Sequence, residues 1–177
     1  MSDGPMRDDE LELLLAEREI RRRLADYCSG IDRRDAAMVA SAFHAESRAS
    51  YGRFDGTGAE FAALTVPMLV ERTHLTMHRM GEPRIDHVAD GVAEVETPIL
   101  AQHVVDAPGI GGGSGHRDLP EGEPFLEVFA GWYIDRFERR EDEWRIAARE
   151  LLHGWDTVLQ IREAFDVGSF PSGLHKK

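Results

Sequence analysis

The hydrophobic periodicity of the chain changes near Arg72, from a repeat of about 3.6 residues to a repeat of two. A repeat near 3.6 is typical of amphipathic helices, whereas a repeat of two among β-branched and aromatic residues is typical of strands. Helices followed by strands predict an α+β fold, in which the helices cover one face of a curved antiparallel sheet. Such a sheet is expected to wrap into a cone-like half-barrel whose mouth faces solvent.

Three helices are predicted in the first 72 residues. The first is expected from about Asp8 to Gly30, the second from Ala36 to Phe43, and the third after the capping-box pair Thr57 and Glu60. Pro67 should bend or shorten the third helix. The first helix is indicated by five residues that recur on one face: Ile20, Leu24, Tyr27, Cys28 and Ile31.

The rest of the chain predicts a meander of strands with hairpin turns at Asp90-Gly91 and Glu141-Asp142. The segment Ala107 to Glu123 is expected to be a long mobile loop, because it is rich in glycine and proline. Its glycine run from Gly109 to Gly115 is not interpreted as a phosphate-binding loop, because neither Gly-Lys-Ser/Thr nor a predicted helix follows it. We expect one domain over 1–177, with its core at about 17–157 and a frayed tail at 165–177. The predicted strands are Thr73–Met80, Arg84–Ala89, Val92–Val105, Phe125–Arg139 and Trp144–Trp155.

The charge of the chain limits its partners. Lysine and arginine number 21 against 33 acidic residues, and the net charge of −12 repels nucleic-acid phosphates and anionic lipids. No nucleic-acid or membrane partner is therefore expected. Cys28 is the single cysteine, so no internal disulfide can form, and the acidic Met1–Glu10 segment does not resemble a signal peptide. The default prediction is a cytoplasmic protein.

Five residues that can handle protons are candidates for a functional site: Tyr27, Asp32, Tyr51, His78 and His103. Tyr27 belongs to the apolar helix stripe, and His103 shares its strand face with apolar residues, whereas alternation does not decide which way His78 points. Each of the five also has an ordinary interpretation as a core, turn or surface residue. If they converge, they form a pocket able to remove a proton from a small organic molecule and expel a leaving group.

Other chemically notable residues favour structural interpretations. His74 and His78 would lie about 13 Å apart on a strand, too far to bind one metal ion, so no metal site is expected. Asp135 and Arg149 are expected to face each other across the last hairpin as a partly buried ion pair. The three tryptophans are interpreted first as packing residues whose face could also meet a second subunit: Trp132, Trp144 and Trp155.

The order and spacing of several segments between about Glu17 and Thr157 carry a family resemblance. These segments are Tyr27 to Asp32, Thr76 to Pro83, Ala101 to His103 and Gly131 to Phe137, followed by Trp144-Arg-Ile146 and Arg149. Together they resemble the scytalone dehydratase and SnoaL-like branch of the nuclear transport factor two-like superfamily. The resemblance implies the cone-shaped, cystatin-like α+β fold for nearly the whole chain.

The resemblance also implies a role for each candidate residue. Asp32 would pair with His78, and His103 would be the second histidine of the site. Tyr51 matches a tyrosine at the entry to the sheet, which would contact the substrate, and Tyr27 resembles the helix tyrosine of bile-acid dehydratase relatives. The implied catalytic set is therefore His78, Asp32, His103 and Tyr27.

Two departures from the family pattern affect the expected substrate. Ile31 stands where scytalone dehydratase has a tyrosine, which argues against scytalone itself. Arg79 and Glu82 stand where many relatives have histidine and asparagine, which indicates a changed polar lining of the pocket.

The expected function is that of a cofactor-independent lyase of the dehydratase type, or an isomerase, acting on a small hydrophobic cyclic compound. His78 would remove a proton, Tyr27 or Tyr51 would polarise an oxygen, and His103 would protonate or orient a departing hydroxyl. The superfamily leaves two alternatives open, a non-catalytic binding module and the accessory small subunit of a ring-hydroxylating dioxygenase. The family's usual assemblies imply a homodimer or homotrimer.

Overall fold

The computed structural model describes residues 8–105 and 124–161, which form three helices and seven strands. The predicted loop at 107–123 and the predicted tail at 165–177 lie outside the described residues. No described helix is both long and apolar enough to cross a membrane. The elements are α1 (Asp8–Arg33), α2 (Ala36–Ser41), β1 (Phe43–Tyr51), β2 (Phe54–Gly56), α3 (Gly58–Arg72), β3 (Leu75–Met80), β4 (Arg84–Ala89), β5 (Val92–Val105), β6 (Phe125–Arg140) and β7 (Glu143–Gln160).

The strands form one sheet in the order β2-β1-β7-β6-β5-β3, with β4 also paired to β5. The sheet is curved and unclosed, and helices pack on its concave face, so the predicted α+β fold is confirmed. All neighbouring strands run antiparallel except β1 and β7, which are parallel. The core lies between the sheet and the apolar faces of α1 and α3.

The apolar stripe predicted for α1 is buried, since its five residues are all at most 5% exposed. The helix continues three residues beyond the predicted end at Gly30. It ends in a Schellman motif, in which Asp35 N donates to Gly30 O at 2.8 Å and Arg34 adopts a left-handed φ of 59°. Asp32 therefore lies in the last turn of α1 rather than just past it, on the side that faces the sheet.

The chain enters the sheet earlier than predicted. The second helix stops at Ser41, and β1 already begins at Phe43. The Ala42 carbonyl accepts a hydrogen bond from Ile146 N at 2.9 Å, which joins this segment to β7 instead of extending the helix. Tyr51 is thus the last residue of a nine-residue strand.

Helix α3 begins as predicted. The Thr57 side chain accepts from Glu60 N, and the Glu60 side chain accepts from Thr57 N, so both halves of the capping box are present. Pro67 lies inside the helix, which nevertheless continues to Arg72, so the expected shortening does not occur.

Strand β5 alternates as its sequence predicts. Every second residue from Val95 to His103 is buried on the concave face. Its outer edge is shared, since β4 pairs with residues 92–96 and β3 with residues 99–104. Pro98 lies where these two partners meet, and its carbonyl accepts from Gly81 N at 2.8 Å. A proline is tolerated here because its missing N–H faces the break between β4 and β3.

The tryptophans differ from the prediction. Trp144 is buried and packs in the core, but Trp132 and Trp155 are 40% and 53% exposed on the convex face of the sheet. The packing interpretation was therefore wrong for Trp132 and Trp155.

The capping box gives a test of how α3 is held. Replacing Thr57 with alanine should lower the free energy of unfolding by about 1 kcal/mol, because the Glu60 N–H loses its acceptor at the helix N-terminus. Thr57→Ser keeps a hydroxyl and should change the unfolding free energy by much less. Urea denaturation measures both, and equal losses for the two variants would contradict the capping role.

Candidate active site

A cavity of about 290 Å³ lies between α1, α3 and the concave face of the sheet. Four of the five predicted residues line it, namely Tyr27, Tyr51, His78 and His103, and the rest of its wall is mostly apolar. The fifth, Asp32, contacts His78. Two larger hollows, of about 590 and 430 Å³, lie elsewhere on the surface and contain no paired carboxylate and histidine among their described lining residues.

Asp32 holds His78 by both its ring and its backbone. His78 Nδ1 lies 2.7 Å from Asp32 Oδ1, and His78 N donates to Oδ1 and Oδ2 at 3.0 and 2.9 Å. The Thr76 hydroxyl donates to the same carboxylate at 3.3 Å. Alternation along β3 did not decide the direction of His78, but the structure turns Thr76 and His78 towards α1.

This arrangement fixes how the imidazole can react. A carboxylate beside Nδ1 favours the tautomer with its proton on Nδ1, which leaves the lone pair of Nε2 available as a base. The His78 side chain is 8% exposed and that of Asp32 is 16% exposed, so little water competes for the contact. The pair has the geometry of a general base with an orienting carboxylate.

His103 lies beside His78, with ring centroids 5.7 Å apart and planes at 68°. Burial, reinforced by the neighbouring His78, lowers the pKa of His103 from 6.5 to about 4. The ring is therefore neutral at pH 7. This charge state argues against His103 as the resident acid of the expected scheme, although a neutral imidazole still donates one hydrogen bond.

Tyr27 and Tyr51 form a second polar pair, with hydroxyl oxygens 2.8 Å apart. Tyr51 is not a surface aromatic, since its ring stacks on Phe61 at 3.8 Å. Burial raises the pKa of both tyrosines, so both stay protonated at neutral pH. Either hydroxyl can be the donor of this hydrogen bond.

A fully buried ion pair lies beneath the tyrosines. Arg149 donates through Nε and Nη2 to Asp135 at 2.6 Å in both cases, and both side chains are 0% exposed. The sequence predicted the pairing but only partial burial. The Arg149 guanidinium carbon lies 4.3 Å from the ring centroid of Tyr27 and 3.9 Å from that of Tyr133.

The sequence did not indicate the contact between Arg149 and the tyrosine rings. It also did not indicate that Tyr133 lines the cavity. Burial lowers the pKa of Arg149, but Asp135 and the tyrosines outweigh that effect and the pKa rises overall. Arg149 Nη1 has no hydrogen-bond partner among the described residues. The alternation of side chains along the strands could have indicated that Tyr133 faces inward, because it is paired directly with Thr97, which also faces inward.

The sequence model of the SnoaL-like domain matches residues 12–150. The chain belongs to the SnoaL-like domain family. A search of curated protein sequences gives no significant match. Within residues 8–105 and 124–161, no three histidine, cysteine or acidic side chains gather as a metal site.

Solved structures share the fold of this SnoaL-like protein. A protein of Novosphingobium aromaticivorans assigned as a scytalone dehydratase is 23% identical, with a TM-score of 0.67, covering 90% of this chain and 97% of its own. A type 2 hexachlorocyclohexane dehydrochlorinase is 19% identical, with a TM-score of 0.70, covering 93% and 99%. The type 3 dehydrochlorinase of Novosphingobium barchaimii is 20% identical, with a TM-score of 0.68, covering 85% and 94%. At these identities the likeness shows the fold.

The low pKa of His103 predicts a loss of stability in acid. Between about pH 6.5 and 4 the unfolded chain binds a proton that the folded protein excludes, so this site destabilises the fold as the pH falls. The full effect is on the order of 3 kcal/mol. Urea denaturation at pH 7 and pH 4.5 should show a smaller acid loss for His103→Gln than for the wild type, and NMR should show His103 uncharged at pH 6. An ordinary titration near pH 6.5 would contradict this prediction.

Proposed function

We propose that this protein is a cofactor-independent lyase of the dehydratase type, or an isomerase, that acts on a small hydrophobic cyclic compound. The observation that carries the proposal is the 2.7 Å contact between Asp32 and His78 at the wall of a mostly apolar cavity. A volume of about 290 Å³ is near the small end of the range for ligand pockets, roughly 300–1,000 Å³.

The two reactions share a first step. His78 Nε2 takes a proton from the carbon next to a carbonyl, and the Asp32 carboxylate stabilises the imidazolium that forms. In this step the Tyr51 hydroxyl donates to the carbonyl oxygen and its own oxygen accepts from the Tyr27 hydroxyl, 2.8 Å away. In elimination, the carbon–oxygen bond of a hydroxyl on the next carbon breaks, a double bond forms, and the proton leaves with the hydroxyl as water.

The neighbouring structures support this class of chemistry without deciding the substrate. One is assigned as a scytalone dehydratase, a name that describes the elimination of water. Two others are hexachlorocyclohexane dehydrochlorinases, a name that describes the elimination of hydrogen chloride. Neutral His103 would orient the departing group by donating a hydrogen bond, because its low pKa removes it from the role of resident acid. Tyr27 acts through Tyr51 rather than alone.

Exchange of the proton next to a carbonyl tests the shared step. For proton exchange, cyclic ketones such as 2-decalone are incubated with the protein in D₂O. For elimination, cyclic β-hydroxy ketones are tested for conversion to enones. NMR follows both reactions. His78→Ala should lower either rate by at least about 100-fold with folding intact. Asp32→Asn should keep ligand binding but lose most of the rate, because the imidazole is no longer held in its reactive tautomer.

Matched controls come from the same elements. His74→Ala changes an exposed histidine just before β3, and Asp26→Asn changes a carboxylate on α1 away from the cavity, so both should keep the wild-type rate. Full activity in His78→Ala would remove the proposed base. Ketone binding without exchange or elimination in the wild type would favour the alternative of a binding module.

We also propose that the chain assembles as a homodimer or homotrimer through the convex face of its sheet. Strand register places a set of apolar side chains on this face, opposite the cavity, and soluble monomers rarely expose a large contiguous patch of this kind. The exposed residues are Met77, Leu100, Trp132, Leu152 and Trp155.

Mass measurement tests the assembly. Light scattering after size exclusion should give two or three times the chain mass of 19.9 kDa for the wild type. Trp155→Arg should shift the protein to the monomer, because an unpaired charge in an apolar interface is costly. Leu64→Arg, at a 61% exposed position on α3, should leave the mass unchanged. A monomeric wild type, or an unaltered mass in Trp155→Arg, would contradict the proposal.

A further inference from the structure

One cation lines the cavity without an acidic partner. Arg53 is the only lysine or arginine among the described residues of the cavity wall, and it forms no salt bridge with any described residue. The nearest carboxylate along the chain, that of Asp55, is bonded to Arg48 at 3.0 Å instead. Most other described arginines bind a carboxylate or a carbonyl, among them Arg21, Arg34, Arg84, Arg136, Arg140 and Arg149.

The backbone fixes Arg53 at the edge of the cavity. Tyr51 and Phe54 are paired across β1 and β2, so Gly52 and Arg53 form a two-residue turn. Gly52 has a φ of +65°, which glycine adopts without strain, and Arg53 is the second residue of the turn. Both flanking aromatic rings belong to the cavity wall, with centroids 6.5 Å apart. The exposed guanidinium is therefore carried on a short, anchored turn beside the apolar interior.

The sign of this charge is opposite to that of the protein. The chain carries a net charge of −12, which disfavours the approach of an anion. No aspartate or glutamate is among the described residues of the cavity wall, because Asp32 lies behind His78. Among the described residues of the wall, an anionic group near Arg53 thus meets a cation and no adjacent carboxylate. A neutral ligand would gain less than an anion from this placement, because hydrogen bonds between two charged groups are the stronger ones.

We propose that the ligand of the cavity carries a carboxylate, which binds Arg53, while its apolar ring occupies the interior. A guanidinium offers two parallel N–H donors that match the two oxygens of a carboxylate. The tyrosine and histidine hydrogen-bonding groups remain available for the reacting part of the ligand. This inference depends on the proposed function in one respect, which is that the cavity is the ligand site. It narrows the proposed substrate class to cyclic carboxylic acids.

A matched pair of probes tests the inference by binding alone. Calorimetry compares 2-naphthoate with 2-naphthamide, which have the same ring system but differ in charge. The wild type should bind the carboxylate about fivefold to tenfold more tightly than the amide. Arg53→Gln should abolish this preference and leave the affinity for the amide unchanged. Added NaCl should weaken the binding of the carboxylate to the wild type, because Arg53 is exposed.

Controls separate this inference from the proposed reaction. Arg79→Gln removes an exposed cation that lines a different hollow, so it should keep the preference for the carboxylate. His78→Ala should also keep it, whether or not proton exchange is lost. An equal or weaker affinity of the wild type for the carboxylate, or a preference that survives in Arg53→Gln, would overturn the proposal while leaving the His78 base untouched.

Discussion

The carboxylate of Asp32 joins the helical layer to the sheet. It accepts hydrogen bonds from the backbone and the ring of His78. Arg34, just past the end of the same helix, donates to the carbonyls of Thr73 and His74 at 2.7 and 2.9 Å. The docking of α1 on β3 and the direction of the imidazole therefore depend on the same few atoms. A nearly buried carboxylate is tolerated here because its oxygens have donors.

The buried ion pair of Asp135 and Arg149 has a different role from that of Asp32. A buried ion pair is weak evidence of stability, because desolvation of both groups offsets their attraction. The pair of Asp135 and Arg149 nevertheless ties β6 to β7 at the centre of the sheet, and its cation lies against the rings of Tyr27 and Tyr133. Such cation–π contacts are stronger where water is excluded. The charge thus supports the tyrosine whose hydroxyl is hydrogen-bonded to that of Tyr51.

Local patterns predicted much of this fold. The stripe from Ile20 to Ile31, the Thr57 capping box and the alternation that turns His103 inward are short-range signals, and each is present in the structure. The pairing of Asp135 with Arg149 followed from counting residues on either side of a hairpin turn. The family resemblance gave Asp32 and His78 as partners, which periodicity alone did not.

Long-range contacts and environment explain what the sequence did not predict. The end of α1 depends on Arg34 in a left-handed conformation, which glycine more often adopts, and the parallel pairing of β1 with β7 joins strands that are far apart in the chain. The neutral state of His103 depends on its burial beside His78. Trp132 and Trp155 are large apolar residues of the kind that usually packs in a core, but their strand register places them on the exposed convex face.

The divided edge of β5 also matters for how this domain can diversify. Pro98 and Gly81 separate a half of the edge covered by β4 from a half covered by β3, which carries His78. Each half keeps its register through its own ladder of hydrogen bonds. A change in chain length at 81–83 would therefore alter the connection between the two halves while the ladder of β3, and with it the base on that strand, stays in register.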